Sequence, residues 1–176
     1  MVDQTVADRG RRTVAIPTTI ERFLTTNHVP YEVLPHARRH TALEEAAVTH
    51  IPSRMWAKTV ACFADGDPIL AVLPADSVID VDRLRTVTGA RILRFASESE
   101  LSPLYPDCEV GAMPPLGTLY GQRVFVDRDL ADDEEVVFNG GSHTDAIKVK
   151  YDDFARVVHP SVGAFGTVLG GPLLPL

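Results

Sequence analysis

Met55-Trp-Ala-Lys-Thr-Val-Ala-Cys-Phe63, Ala64-Asp-Gly-Asp-Pro68 and Ile69-Leu-Ala-Val-Leu73 run together as two β-rich apolar stretches around an Asp-Gly turn, and their reading decides the fold. Asp-Gly accepts the positive φ that a tight hairpin demands, so the two stretches are predicted to pair antiparallel. Upstream, Pro17 followed by Thr-Thr-Ile-Glu-Arg-Phe-Leu opens a helix in which Ile20, Phe23 and Leu24 share a face, and residues 27–30 end it. Residues 31–36 alternate as a short strand, and Thr41 with Glu44 three residues later forms a capping box for a second helix. Downstream, residues 80–88 read as a helix closed by Gly89, 91–95 as a strand, and 97–104 as a short helix with a Ser-x-x-Glu start. Residues 123–127, 135–138 and 145–149 are further strands, and 151–157 a last helix. Helices that punctuate at least six strands, many joined by tight turns, predict an α/β domain whose mixed sheet carries packed helices, not a doubly wound parallel sheet.

A chain of 176 residues suits one domain with a sizeable core. Residues 16–160 are assigned to it, with residues 1–15 as a flexible N-terminal segment. Residues 161–176 form an apolar tail too rich in glycine for a stable helix. Such a tail must cover something, either the core of its own subunit or a partner chain in a homodimer. Hydrophobic content of 45% with 23% charged residues is ordinary for a soluble protein, and no apolar run approaches the about 20 residues of a membrane span. Residues 1–12 lack the apolar stretch of a secretion signal and two cysteines build no disulfide framework, so a cytoplasmic location is expected. A net charge of −7 argues against broad capture of duplex nucleic acid. Local basic clusters remain at Arg9, Arg11 and Arg12, at Arg38 and Arg39, and at Lys148 and Lys150.

Three polar interruptions break this core-like sequence. The first is the loop Glu109-Val-Gly-Ala-Met-Pro-Pro-Leu-Gly117, where Pro114 and Pro115 stand between two glycines. It reads as a surface turn, or as a cradle in which the N–H groups of Gly111, Ala112 and Met113 face a carbonyl or oxyanion. The second is Lys58, beside Thr59 in an apolar strand; it either snorkels to solvent from an edge or offers a fixed ammonium to a phosphate or carbonyl oxygen. The third is Gly140-Gly141-Ser142-His143, which sets an imidazole and a hydroxyl at the mouth of the next strand. His143 is a hydrogen-bonding residue of the framework, or it orients water or substrate; Ser142 lacks the Gly-x-Ser-x-Gly elbow of a nucleophile. His36 and His40 are the sole lead to a metal, and Pro35 and the Thr41 cap place them before a helix instead of on one face of it. No metal or other cofactor is expected. Cys62 reads as core, and Cys108 has no adjacent base to make it a nucleophile. No Walker motif and no Gly-x-Gly-x-x-Gly after a strand occurs.

Taken in order, His40-Thr-Ala-Leu-Glu-Glu-Ala-Ala, Lys58-Thr, Gly111-Ala-Met-Pro-Pro-Leu-Gly117 and Phe138-Asn-Gly-Gly-Ser-His-Thr-Asp-Ala-Ile-Lys-Val149, followed by Tyr-Asp-Asp-Phe154, resemble the YbaK/ProX family of aminoacyl-tRNA deacylases. That family includes free-standing proteins and editing domains of prolyl-tRNA synthetases. The resemblance implies a compact α/β domain with a mixed, curved sheet that hydrolyses the ester between a wrong amino acid and the acceptor end of a tRNA. It implies transient contact with an aminoacyl-tRNA synthetase as well. By motif position Lys58 looks like the lysine that holds the tRNA end, Gly111 like the loop glycine whose main chain contacts the reacting carbonyl, and Ser142 and His143 like pocket residues before the late strand; Ala112 and His143 are counted with Lys58 and Gly111 as catalytic. Thr59, Met113, Pro114, Pro115, Gly141 and Ser142 would shape the substrate pocket, with His143 positioning substrate and not taking a proton. The alternative is a binding module that keeps the fold without the reaction.

Overall fold

The structure, a computed structural model, describes residues 16–170; the segment expected to be flexible, residues 1–15, and the end of the apolar tail, residues 171–176, lie outside them. In chain order, α1 (Thr18–Thr26), β1 (Glu32–Pro35) and α2 (Ala42–Thr49) precede the hairpin β2 (Ala57–Ala64) and β3 (Asp67–Pro74). Next come β4 (Ser77–Ile79), α3 (Val81–Thr88), β5 (Leu93–Phe95) and α4 (Glu98–Leu104). A loop and a 3-10 turn at Gly117–Tyr120 lead to β6 (Arg123–Asp127), α5 (Arg128–Ala131), β7 (Glu135–Asn139) and β8 (Asp145–Lys150). The described chain closes with α6 (Tyr151–Val158), β9 (Ser161–Gly163) and β10 (Gly166–Val168).

Local chemistry explains where these elements begin and turn. Asp65 and Gly66 take φ of 51° and 92°, the two positive values that join strands with matching twist. The Asp65 carboxylate also accepts the Ile92 N–H at 2.8 Å, which ties the hairpin tip to the start of β5. At α2 both halves of the capping box form: Thr41 Oγ1 accepts the Glu44 N–H and Glu44 accepts the Thr41 N–H, each at 3.2 Å. Asp80 caps α3, and Gly89 at φ 71° ends it.

The strands form a five-stranded sheet in the order β5-β2-β3-β6-β9, a three-stranded sheet β1-β8-β7, and a β10-β4 pair. In the largest sheet β3–β6 and β6–β9 run parallel while the hairpin and β2–β5 run antiparallel, so the sheet is mixed. A bridge between Trp56 and Val137 joins the three-stranded sheet to the entry of β2. Ten strands appear among the described residues where at least six were predicted. The extra ones, β4, β9 and β10, have three residues each, too few for a period of two to show.

The central strand β3 is apolar from Ile69 to Leu73 because both its faces are covered there. Leu70 and Val72 join a core with Ile20, Leu24, Phe138, Ile147 and Phe154, while Ile69, Leu73, Leu84, Phe125 and Phe165 pack on the other side. Trp56, with no exposed surface, anchors a third cluster with Ala46, Ala75, Val137 and Ala146. Residues 161–169 wrap their own subunit. Phe165 fills the second core, and the buried Asp127 carboxylate accepts the N–H groups of Phe165 (2.8 Å) and Gly166 (2.6 Å). No described helix is long and apolar enough to cross a membrane.

Candidate active site

A cavity of about 470 Å³ opens where four segments meet. The N-terminal turn of α2 supplies Thr41, Ala42, Leu43 and Glu45; the first half of β2 supplies Ala57, Lys58, Thr59 and Val60. Gly111 and Met113 come from the loop after α4, Asn139 and His143 from the end of β7 and the turn into β8. Leu169, just past β10, completes the lining with His40 and Ala75.

Lys58 is half-buried, and its Nζ donates to the Ser77 carbonyl oxygen. Burial lowers its pKa from the ordinary value, opposed by the nearby Asp76 carboxylate. The ammonium is therefore fixed by one carbonyl and underhydrated, a state that favours a second anionic or carbonyl partner.

His143 is held at three points. Its N–H donates to Glu109 Oε2 (2.8 Å), Nδ1 lies 3.1 Å from Glu45 Oε1, and Nε2 lies 2.9 Å from the Val110 carbonyl oxygen. Glu45 sits at 1% exposure and also accepts from Asn139 Nδ2 (3.0 Å). Burial pushes the Glu45 carboxyl above its ordinary pKa, against the hydrogen bonds from His143 and Asn139. Glu109 is clamped by both terminal nitrogens of Arg38, at 2.8 and 3.1 Å, which holds it below the usual carboxylate range.

The loop is anchored to the turn before β8 by two backbone hydrogen bonds, Glu109 N–H to Gly141 O (2.8 Å) and Gly141 N–H to Ala112 O (3.0 Å). Gly111 at φ 82° places its Cα over the His143 ring, with the ring atoms 3.9 Å from where a Cβ would stand. Among the described residues, the N–H groups of Gly111 and Met113 meet no acceptor.

Of the ten residues singled out in the sequence, Lys58, Thr59, Gly111, Met113 and His143 share this cavity. Ala112 does not offer a free donor: its N–H closes a turn on the Glu109 carbonyl at 3.0 Å. Pro114 and Pro115 are buried beneath the loop instead of lining the cavity, and their rigidity shapes the backbone above them. Gly141, at φ 95°, lies against Pro17, whose ring carbons stand 2.8 and 2.9 Å from a would-be Cβ. Ser142 turns away to Thr144 Oγ1 (3.2 Å) and Asp145 Oδ2 (3.1 Å), occupied as a turn-former.

Glu45, Asn139 and Glu109 were not singled out, and Arg38 was named only as part of a basic cluster. Glu45 had a signal: with Ala42, Ala46 and Thr49 it shares one face of α2 at helical spacing, a carboxylate among small residues. His36 is buried edge-on to Trp56 while His40 is exposed at the cavity rim. Among the described residues no group of three His, Cys, Asp or Glu side chains is placed to hold a metal. Cys62 is buried, and burial raises the Cys108 thiol to about 12.

The model of the aminoacyl-tRNA editing domain family matches residues 36–157. A proline–tRNA ligase of Anaeromyxobacter dehalogenans (strain 2CP-C) is 32% identical over 118 residues, covering 65% of this chain and 20% of the ligase. The proline–tRNA ligase of Nitratidesulfovibrio vulgaris (strain Hildenborough) is 27% identical over 141 residues, covering 73% of this chain and 24% of the ligase. The chain thus spans a quarter or less of these relatives. In fold, it is similar to the crystal structure of a candidate trans-editing enzyme for prolyl tRNA synthetase, at TM-score 0.73 and 20% identity over 87% of this chain and 99% of that one. A second solved structure, of a hypothetical protein, gives TM-score 0.76 at 19% identity over 85% and 99%.

Proposed function

Because the chain belongs to the aminoacyl-tRNA editing domain family, we propose that it is a trans-editing hydrolase that deacylates mischarged aminoacyl-tRNA in the cytoplasm. Water attacks the ester carbonyl, the carbon–oxygen bond to the terminal ribose breaks, and the water's proton ends on the ribose oxygen. An activated ester needs little beyond positioning, water and donors aimed at the developing oxyanion. Here the unengaged N–H groups of the Gly111 loop receive that oxygen, and the Lys58 ammonium holds the tRNA 3′ end. One observation carries this reading: Lys58 and Gly111, far apart in sequence, line the same cavity. An acidic chain suits a protein that grips only the acceptor end, since few phosphates then need neutralising. Likeness to prolyl-tRNA synthetases favours a synthetase as a transient partner.

A panel of purified tRNAs carrying alanine, serine, cysteine or proline, each on its right and wrong tRNA, tests the reading. Faster hydrolysis of at least one mischarged species than of its correctly charged counterpart is expected. Binding without turnover on any of them would show a binding module in this fold.

Leu169 makes a narrower point. It stands on the cavity wall although 54% of it is exposed, held there by its own N–H on the Asp76 carbonyl (2.8 Å). Leu169→Ala should widen the site and raise the rate on a large aminoacyl ester relative to a small one by about tenfold, the lower range for a methylene-scale change in a pocket. Competition kinetics with two aminoacyl groups on one tRNA would measure that ratio.

A further inference from the structure

The Val110 carbonyl can only accept a hydrogen bond, so at 2.9 Å the proton between it and His143 belongs to Nε2. On the other side Nδ1 meets Glu45 Oε1 at 3.1 Å. A neutral imidazole protonated at Nε2 presents a lone pair there, and an ionised carboxylate presents another. Both contacts are hydrogen bonds only if the pair carries one proton between Nδ1 and Oε1, on either atom. Asn139 Nδ2 donates to the remaining Glu45 oxygen, which fixes the carboxyl so that Oε1 faces the ring.

The partner at Val110 matters because its carbonyl belongs to the peptide unit whose nitrogen is Gly111. In a planar trans peptide C=O and N–H point in opposite directions, so whatever holds the carbonyl aims the N–H. At Gly111, with φ 82° and no Cβ, the Ala112 N–H to Glu109 O turn bond brackets this peptide without engaging its own C=O or N–H, so the His143 contact is what holds the plane. We infer that Glu45 and His143, sharing one proton, are positioning residues that lock the Val110–Gly111 peptide and thereby aim the Gly111 N–H at the developing oxyanion. This rests on the deacylase reading above and gives it a pH-sensitive part. Neither residue touches the substrate carbonyl in this role.

Loss of the shared proton leaves a choice between two broken arrangements. With the imidazole proton on Nε2, the ring repels the Glu45 carboxylate; with it on Nδ1, the ring repels the Val110 carbonyl. In both the lock loosens as pH rises. The raised pKa of Glu45, caused by burial, agrees with a proton retained on the pair. The other groups facing it are Asn139 from β7, Glu109 bound to the His143 N–H and clamped by Arg38, and His36 before α2, while Lys58 on β2 and His40 share the cavity.

Glutamine at position 45 separates this from a merely structural contact. Its NH2 donates to Nδ1 and its oxygen accepts from Asn139, so the neutral Nε2–H imidazole is satisfied without an extra proton. Single-turnover deacylation at saturating enzyme, on the fastest substrate of the panel, is measured from about pH 6 to about pH 9 after subtracting spontaneous hydrolysis. Glu45→Ala and His143→Ala should each lose about 10²-fold, comparable to removing one oxyanion donor. Glu45→Gln should recover most of that loss, and its rate relative to wild type should climb with pH, by about tenfold per unit once the wild-type proton is gone. Parallel pH profiles for wild type and Glu45→Gln would overturn the inference. The ¹⁵N resonances of the His143 ring test it without turnover: wild type should show Nε2 protonated with Nδ1 sharing the proton of Glu45, while Glu45→Gln keeps a single Nε2–H form with a bare Nδ1. A protonated Nδ1 with a bare Nε2 in the variant would also overturn it. Silence of the whole substrate panel, with the expected ¹⁵N behaviour, would instead count against the deacylase reading alone.

Discussion

Replacing Lys58 with methionine is expected to lower kcat/KM for deacylation by about 10²–10³-fold, the loss typical of one well-aimed electrostatic group. The same substitution should leave the protein at least as stable as wild type. Methionine keeps an unbranched stem across from Leu73, so the pairing of β2 with β3 is undisturbed. The charge itself is a burden on the fold, because burial lowers the Lys58 pKa. Below the lowered folded value both folded and unfolded chains carry the proton, and the folded state bears the desolvation cost in full. Between the lowered folded value and 10.5, the unfolded state binds more protons, so wild-type stability rises with pH there. Lys58→Met should lack that rise. Arginine should not rescue activity, since its planar fork cannot reproduce a point charge seated on the Ser77 carbonyl. Thermal melts and single-turnover rates on one preparation would check both halves; a variant that loses activity only by unfolding would remove Lys58 from the site.

Asp127→Ala is expected to be the most damaging single change outside the cavity. Its carboxylate, 3% exposed, satisfies the N–H groups of Phe165 and Gly166 and caps α5 through the Asp129 N–H at 3.0 Å. Alanine strands the first two donors at about 1–3 kcal/mol each, or about 2–6 kcal/mol together. For a chain of this size that lowers Tm by about 10 °C. The loss is local before it is global: β10 would detach from β4, and Leu169 would leave the cavity wall. Asp127→Asn should recover part of the stability, because its carbonyl oxygen still accepts while its NH2 opposes a backbone donor. Calorimetry of the two variants gives the ranking; equal melting for Asp127→Ala and wild type would refute it.

What was legible in the sequence is what neighbours in sequence decide. The Asp-Gly turn, the Thr41–Glu44 box and the Asp80 to Gly89 helix each carry their signal within a few residues, and all three form. The mixed sheet followed from counting strands and turns. Lys58, Gly111 and His143 stood out as polar or glycine breaks in apolar stretches, and they share a cavity. The direction in which a loop points is not local. Ala112 was read as a donor to the site and Ser142 as a pocket residue, yet the positive φ at Gly111 and Gly141 turns one toward Glu109 and the other toward Asp145. Glu45 hid for a related reason. On an eight-residue helix with glutamates at 44 and 45, only the tertiary fold tells the capping side chain from the buried one.

Strand β1 pairs with β8, so Glu32 lies opposite Lys148, and Glu45 reaches a histidine 98 positions later in the chain. Closing a loop of that length costs entropy before any contact repays it, and structures dominated by such pairings fold slowly. The β2–β3 hairpin needs no such closure and can form within microseconds. During refolding, strand content should therefore appear well before the Val110–Gly111 peptide is locked, and hydrolysis should return only with the slowest phase. Partly folded chains would carry the lysine and the glycine loop without bringing them together, so the proposed site would stay unassembled until the segments around Lys58, Gly111 and His143 have met.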